Sequence, residues 1–359
     1  MKRVLREMAL PAIIALGLCV WCCHGLLEWD LVGLLDDWRD SPAPEYRVRA
    51  LDWGHVSVPL DVNNAGCVVG HATDDAGRRI PMIGGAQCSV MGDLFPGLHA
   101  RFMSVNNAER VAVHTYDLPC TEATVFRGQA CTSETAEARF IDRTESKCMV
   151  AVNAINDYDV VVGAAKCPGT DETCAAAWYP DRGCVRLDGP RSCAFDINNQ
   201  GQVVGGAKVG KAEVARLWER GPDGSWRSLD LTPRSGATTR AAAINEKGVV
   251  VGCMNASTPF LWSTATGLRL LRSRRRYHVC QANAVNNHGQ IVGTAMTVDE
   301  LDAVIWRDGR PIDLNDLIPR TSPYHLWWAY AINDSGVIAC SAWRGNCREA
   351  VLIVPVQPQ

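Results

Sequence analysis

Residues 242–252 read AAINEKGVVVG, a phrase that occurs in seven related copies along the chain. In each copy a β-branched residue precedes the central asparagine, turn-forming residues and usually a glycine follow it, and a short apolar run ends the phrase. Asparagine and glycine suit tight turns, whereas β-branched residues favour strands. Each copy therefore predicts a strand, a tight turn and a second strand. The central asparagines are Asn63, Asn106, Asn156, Asn198, Asn245, Asn286 and Asn333.

Each predicted hairpin is followed by a third apolar stretch and then by a fourth strand-like run. Four strands in a unit of about 45 residues are typical of a propeller blade. We therefore predict an all-β fold, a seven-bladed β-propeller of four-stranded antiparallel blades. Tryptophan recurs in the third stretch of four units, which favours packing between neighbouring blades over stacking on sugars. These residues are Trp178, Trp218, Trp262 and Trp306.

Two features favour closure of the units into a ring. The residue two positions before each asparagine is small, as the crowded inner strand around an axis requires. A lone strand-like run, residues 46–52, precedes the first unit, whereas the last unit, residues 330–354, ends after its third strand. Pairing of these N- and C-terminal strands would complete the last blade and remove an exposed edge. An open β-solenoid and two smaller β domains are the alternatives.

The repeat at residues 243–252, with FLW at 260–262, resembles the HAF-type extracellular repeat, in which A-I-N-x-x-G-x-V-V-G is followed by A-F-L-W. The resemblance extends over residues 53–354. It implies an exported bacterial protein with a propeller-like β fold, and it implies no particular reaction. The sequence departs from the pattern where the turn glycine is missing from the second and third copies, at Arg110 and Asp159.

The first 29 residues have the layout of an export signal, with basic residues ahead of an apolar run at 8–27. This run is also long enough to span a bilayer. A cleaved signal peptide and a retained membrane anchor both fit, and either one delivers the body outside the cytoplasm, to the periplasm, the exterior or the cell envelope. We assign residues 1–29 to the signal peptide or anchor, 30–45 to a linker and 46–356 to the seven-repeat propeller.

The chain has 16 cysteines, and none outside the N-terminal segment forms a C-x-x-C pair. Scattered cysteines in an exported protein indicate disulfide bonds. Cys167 with Cys174, and Cys340 with Cys347, each bracket the predicted turn between the second and third strands of one unit. We predict these two disulfides, because opposed residues of a hairpin have suitable Cα separations.

The formal net charge of -3 is small for this length and argues against a nucleic-acid partner. The sequence contains no nucleophile elbow, zinc-binding HExxH helix, phosphate-binding glycine loop or EF-hand loop, and we predict no cofactor. Asp61 and Asp196 are expected to face a central channel. There they line it as solvated carboxylates or hold a cation through oxygen ligands. Catalytic and metal-binding residues are otherwise unassigned.

A four-stranded antiparallel blade carries its first and third turns on one face, named here the turn face, and its other connections on the opposite connection face. Irregular loops on a rigid scaffold usually carry binding residues, so we place any ligand on the connection face near the axis. A basic run supplies groups for anions, and an aromatic group one unit later supplies stacking surface. The alternative is that these loops only cover the blade ends. The predicted ligand contacts are Arg274, Arg275, Arg276, His278, Tyr324, Trp327 and Trp328.

These features favour an exported, non-catalytic binding or scaffold propeller, a monomer whose ligand is an anionic glycan or a protein. The fold explains the recurring residues, and no reactive cluster stands out. The alternative is a carbohydrate-active enzyme, a glycosidase or polysaccharide lyase, with acids drawn from several blades. A pocket holding two carboxylates about 5 to 9 Å apart beside an aromatic platform would favour the enzyme.

Overall fold

We describe the fold from a computed structural model over residues 44–85, 100–115, 124–127, 149–232, 236–272 and 277–356. These residues form an all-β propeller of antiparallel blades. The predicted signal peptide or anchor, residues 1–29, lies outside the described residues. No helix within the described ranges is long and apolar enough to cross a membrane.

Seven antiparallel sheets contain the named strands of the described residues, one sheet for each sequence repeat. In every repeat the two strands that flank the asparagine turn pair with each other, as predicted. The first two sheets have three described strands each. Sheet 1 comprises β2 (Ser57–Val62), β3 (Cys67–Thr73) and β4 (Arg79–Gly85), and sheet 2 comprises β5 (Ala100–Val105), β6 (Arg110–Thr115) and β7 (Thr124–Arg127).

The next four sheets each have four strands in sequence order, so each is a simple meander. Sheet 3 comprises β8 (Met149–Ile155), β9 (Val161–Lys166), β10 (Thr173–Tyr179) and β11 (Gly183–Pro190). Sheet 4 comprises β12 (Ser192–Ile197), β13 (Val203–Val209), β14 (Ala212–Arg220) and β15 (Trp226–Asp230). Sheet 5 comprises β16 (Thr239–Ile244), β17 (Val250–Met254), β18 (Thr258–Ser263) and β19 (Gly267–Leu270). Sheet 6 comprises β20 (Val279–Val285), β21 (Ile291–Met296), β22 (Leu301–Arg307) and β23 (Arg310–Asp313).

Sheet 7 joins the two ends of the propeller. Its strands are β24 (His325–Ile332), β25 (Ile338–Arg344), β26 (Cys347–Pro355) and, from the start of the chain, β1 (Tyr46–Ala50). The last two pair antiparallel, with Val48 opposite Ile353. An ion pair between Glu45 and Arg307 fastens the start of β1 to sheet 6. The predicted pairing of the N-terminal strand with the last unit is therefore confirmed.

A β-bulge interrupts the first strand of every sheet. In the five sheets whose repeat phrase ends in glycine, a carbonyl of the first strand lies over that glycine and leaves no room for a side chain. In sheet 4 a Cβ atom added to Gly205 would lie 2.1 Å from the Cys193 carbonyl oxygen. This close approach explains why the repeat phrase ends in glycine in most of its copies.

The tryptophans of the third strands lie in the core between sheets, as the sequence predicted. Trp218 of sheet 4 is fully buried and packs with Tyr179 and Leu187 of sheet 3. Trp306 of sheet 6 packs in one cluster with Ala243 and Val251 of sheet 5. Trp178 and Trp262 are likewise less than one-tenth exposed. Hydrophobic burial of these large rings stabilises the interfaces between neighbouring blades.

Two motif turns lack glycine, and other residues adopt the left-handed backbone there. These residues are Glu109, with φ 58°, and Asp159, with φ 62°. The predicted position of the first departure, Arg110, is wrong by one residue, because Glu109 occupies the strained site. Arg110 instead forms an ion pair with Asp159 of the neighbouring sheet. The two departures thus lie on adjacent sheets and are joined by this ion pair.

The structure is incompatible with one of the two predicted disulfides and compatible with the other. Cys340 pairs in register with Val351, and Cys347 pairs with Arg344. The two cysteines are therefore four positions apart along the paired strands. At a rise of about 3.3 Å per residue this offset is about 13 Å, which is too far for a disulfide. The predicted Cys340–Cys347 bond is therefore incompatible with this register. The prediction required the two cysteines to lie opposite each other across a longer turn, but only two residues connect β25 and β26.

Cys167 and Cys174 are free thiols in this structure, and their side chains lie within hydrogen-bonding reach of each other. Burial raises the pKa of Cys174 to about 11, and a hydrogen bond with Cys167 raises it as well. We expect oxidised protein to contain the Cys167–Cys174 bond. Peptide mapping under non-reducing conditions should recover this crosslink, whereas alkylation of both thiols before reduction would contradict it.

Candidate functional site

The central asparagines form a closed ring at the turn face. Each Nδ2 donates to the backbone carbonyl of the next asparagine, and each Oδ1 accepts a backbone N–H of its own turn. Asn333 closes the ring by donating to the carbonyl of Asn63 at 2.9 Å. The turn role was predicted from the sequence, but the links between sheets were not. The other links run from Asn63 to Asn106, Asn156, Asn198, Asn245, Asn286 and Asn333 in turn, at 2.9 to 3.2 Å.

A second ring lies beside the first and is formed by the residue after each asparagine. The backbone N–H of each member donates to the side chain of the next, at 2.7 to 3.1 Å. This ring also closes, because the N–H of Asp334 donates to Asn64. Three of its seven members are carboxylates. The members are Asn64, Asn107, Asp157, Asn199, Glu246, Asn287 and Asp334.

The two rings surround an axial chamber of about 290 Å³. Its lining includes the carboxylates Asp61, Asp157, Glu246 and Asp334 and contains no lysine, arginine or histidine. Burial raises the pKa of Glu246, and the charges of Asp157 and Asp334 raise it further. The field inside the chamber is therefore negative. Among the residues that the structure describes, no aromatic side chain lines the chamber.

Asp61 lines the axial chamber, as predicted, and Asp61 and Asp196 each bridge two sheets. Asp61 accepts the N–H of Val105 at 2.9 Å, and Asp196 accepts the N–H of Ile244 at 2.8 Å. Burial raises the pKa of both carboxyls, that of Asp196 to about 7, and Asp61 contributes to the latter shift. Their observed contacts are structural, because each carboxylate accepts a backbone N–H from the first strand of the neighbouring sheet.

The raised pKa of Asp196 predicts a pH dependence of stability. An unfolded aspartate titrates near pH 3.9, so between about pH 4 and pH 7 the folded state holds the extra proton. The contribution of Asp196 to stability therefore falls as the pH rises through this window. We expect Asp196→Asn to reduce the difference in unfolding free energy between pH 5 and pH 8 by about 1–2 kcal/mol, because the half-buried site is partly screened. The exposed control Asp299→Asn should keep the wild-type difference in unfolding free energy between pH 5 and pH 8. If Asp196→Asn also keeps that difference, the prediction is wrong.

On the connection face, sheet 7 presents a group of aromatic residues, named here the aromatic surface. It comprises Trp327, Trp328 and Tyr330 of β24 and Trp343 of β25. Trp328 lies five residues before the Asn333 turn, about 17 Å along the strand, so the tryptophan rings of this surface lie away from the chamber. The two bulges of β24, between Leu326 and Trp328 and between Ala329 and Ala331, add residues that break the usual alternation.

The rings of the aromatic surface are in mutual contact and partly open to solvent. The centroid of Trp327 lies 5.8 Å from that of Trp328, edge to face, and 6.2 Å from that of Trp343. Tyr330 lies 5.8 Å from Trp328. Trp343 is 40% exposed, which is unusual for so large an apolar ring.

Two polar groups at this surface lack partners. The guanidinium carbon of Arg348 lies 5.8 Å from the centroid of Trp327. Within the described ranges, Arg348 Nε and Trp327 Nε1 are both buried without a hydrogen-bond partner. A buried donor without an acceptor costs about 1–3 kcal/mol.

The structure brings only some of the predicted ligand-binding residues together. Arg274, Arg275 and Arg276 lie outside the described residues, and His278 is exposed immediately before β20. Tyr324 precedes β24 on the same face and contacts Arg344, 5.7 Å from its ring. The prediction that Trp327 and Trp328 belong to a loop is wrong, because both lie in β24.

Sequence reasoning missed Trp343 and Arg348, since they belong to other strands of sheet 7. It also missed two groups of three metal-ligand residues on the connection face. In each group the potential ligand atoms lie within 4.8 Å of one another. The groups are His55, Cys347 and Glu349, and Glu300, Asp302 and His325.

No protein-family model matches the sequence, and no curated protein matches it. Among solved structures, the fold is similar to that titled YCF48 bound to D1 peptide, with a TM-score of 0.54, 10% identity, and coverage of 88% of this chain and 96% of that one. TolB from Acinetobacter baumannii matches with a TM-score of 0.46 and 12% identity, over 82% of this chain and 64% of TolB. The BP39L lectin from Burkholderia pseudomallei matches with a TM-score of 0.42 and 10% identity, over 88% and 98%. At these identities the likeness to YCF48 shows a shared fold.

Proposed function

We propose that this chain is an exported, non-catalytic propeller of HAF-type repeats that binds an anionic glycan through its aromatic surface. The observation that carries the proposal is the cluster of partly exposed rings around Trp343, with the Arg348 guanidinium beside Trp327. Arginine binds carboxylates and sulfates through paired hydrogen bonds, and aromatic rings supply apolar surface for a sugar. An acidic sugar offers both of the complementary groups.

We further propose that the propeller has seven blades. Seven separate sheets, one for each repeat, support this count. The ring of asparagine links also passes through seven members before it returns to Asn63. Each link joins one sheet to the next, as expected of neighbouring blades around one axis.

A glycan is favoured over a protein ligand by the size and chemistry of the surface. Four rings and one arginine form a compact site, whereas a stable protein interface usually buries about 800 Å² on each partner. The YCF48 structure holds a peptide, so a peptide ligand is retained as an outcome of the test. The enzyme alternative gains no support from the axial chamber, where carboxylates occur without an aromatic platform.

The experiment is a binding screen of the purified protein against uronate-containing and sulfated oligosaccharides, matched neutral oligosaccharides and acidic peptides. We expect Arg348→Gln to weaken binding of the best acidic oligosaccharide by about 10- to 100-fold, the size of a lost hydrogen bond to a charged group. Trp343→Ala should weaken it by about tenfold. Arg227→Gln, an exposed arginine of sheet 4 near the turn face, is the matched control and should leave the affinity unchanged.

Equal affinity of Arg348→Gln and the wild type would overturn the proposed site. Selective binding of acidic peptides would replace the glycan by a protein ligand. Replacing Arg274, Arg275 and Arg276 together with serine should weaken binding and reduce its salt dependence, since the sequence places this basic run on the same face.

A further inference from the structure

His55, Cys347 and Glu349 meet at the seam where the propeller closes. His55 lies in the connection between β1 and β2, whereas Cys347 and Glu349 are in β26. One nitrogen, one sulfur and one oxygen from these side chains lie within 4.8 Å of one another. His55 is far in sequence from Cys347 and Glu349, and only ring closure brings it beside them.

The backbone already holds this arrangement in place. The N–H of Arg348 donates to the carbonyl of His55 at 2.9 Å. The next residue, Val56, forms an isolated parallel bridge with Arg348. The connection that carries His55 is therefore fixed against the strand that carries Cys347 and Glu349, and only side-chain rotation remains.

Glu349 is the ordered member of the group, since it is only 8% exposed. Its Oε1 accepts two hydrogen bonds from Arg344, at 2.7 and 3.0 Å. Its Oε2 has only a long contact of 3.4 Å with the hydroxyl of Tyr324. Oε2 is therefore available to coordinate a metal ion, whereas Oε1 is held by Arg344.

The donor set identifies the class of ion. Calcium and magnesium prefer oxygen ligands, whereas thiolate with imidazole and carboxylate is typical of zinc. Zinc bonds of about 2.0 to 2.3 Å place neighbouring ligand atoms about 3.5 Å apart. The exposed His55 ring and the half-exposed Cys347 need only small rotations to reach that spacing.

We propose that His55 Nδ1 or Nε2, Cys347 Sγ and Glu349 Oε2 bind a zinc-class divalent cation. Three protein ligands leave a fourth position open on the solvent side. Arg344 acts behind Glu349 and orients its carboxylate, as outer-shell partners of metal ligands do. The ion fastens the β1–β2 connection to β26, so its binding stabilises the closed propeller. This proposal does not depend on the glycan proposal.

The test uses the full-length protein without an affinity tag, kept reduced, and titrated with Co²⁺ and then Zn²⁺. We expect one equivalent of Co²⁺ to produce a thiolate-to-cobalt charge-transfer band that Zn²⁺ abolishes. Cys347→Ser should remove the band, and His55→Ala should weaken Zn²⁺ binding by more than about 100-fold, since even outer-shell partners are worth 10- to 100-fold. His55 is exposed, so His55→Ala should fold normally and keeps the test decisive.

The controls are Cys253→Ser, at a half-buried cysteine of sheet 5, and His325→Ala, in the second group of potential ligands. Both should retain the cobalt band and the affinity of the wild type. Zinc should also raise the melting temperature of the wild type but not that of Cys347→Ser. The proposal would be overturned if the wild type showed no thiolate band or if the band persisted in Cys347→Ser. Loss of binding only in His325→Ala would overturn it as well.

Discussion

Gly205→Ala is expected to destabilise the propeller by about 3 kcal/mol or more, at the upper end of overpacking effects. The added Cβ would lie 2.1 Å from the Cys193 carbonyl oxygen and 3.0 Å from the Ala194 Cα. Both atoms belong to backbone, so no side-chain rotation can relieve the contact. Strands β12 and β13 must separate, which weakens their ladder. Urea denaturation followed by tryptophan fluorescence would measure the loss as a lower midpoint.

Gly189→Ala is the matched control, because an added Cβ there meets nothing within 4 Å. Alanine is intrinsically better than glycine in a strand by about 0.5–1 kcal/mol. We therefore expect this variant to be as stable as the wild type or slightly more stable. Equal midpoints for the variants at Gly205 and Gly189 would contradict the role assigned to the bulge.

Asn245→Ala is expected to cost about 3 kcal/mol. The change removes the acceptor of the N–H groups of Lys247 and Val249 and the donor to the carbonyl of Asn286. Asn245 is buried, and each polar group left unpaired costs about 1–3 kcal/mol. The melting temperature should fall accordingly, with the same loss by chemical denaturation.

The control for Asn245 is Asn107→Ala, in the exposed second ring. Water can replace its hydrogen bonds, so we expect a loss below about 1 kcal/mol. An equal loss at both positions would indicate that the asparagine ring adds no more stability than a surface contact.

The repeat phrase was enough to predict the hairpin strands and their turns, because local periodicity and turn chemistry determine them. The unmatched strand patterns before the first unit and in the last unit predicted the closing pair of β1 and β26. The recurrence of tryptophan in the third strands placed these side chains between sheets, because it reflects one shared environment. The phrase did not predict the asparagine links, since each joins residues more than forty positions apart. A turn explanation already accounted for each asparagine, so nothing in the sequence demanded a second role.

The candidate sites were less predictable, for a physical reason. The sequence indicated aromatic residues near the connection face, but Trp343 and Arg348 join them only through the register of β24, β25 and β26. Bulges shift that register by one residue, and no sequence rule located them in β24. His55 and Cys347 show the same limitation, because their neighbourhood exists only after the ring closes.

The central claim, that the ligand lies on the aromatic surface, is tested most directly by hydrogen–deuterium exchange mass spectrometry with the best acidic oligosaccharide from the screen. We expect slower exchange in peptides covering residues 324–330 and 341–348 when the oligosaccharide is present. Peptides covering the axial turns, residues 63–66 and 333–336, should exchange at unchanged rates. Protection of the axial turns without protection of 324–330 and 341–348 would place the ligand in the chamber and contradict the account.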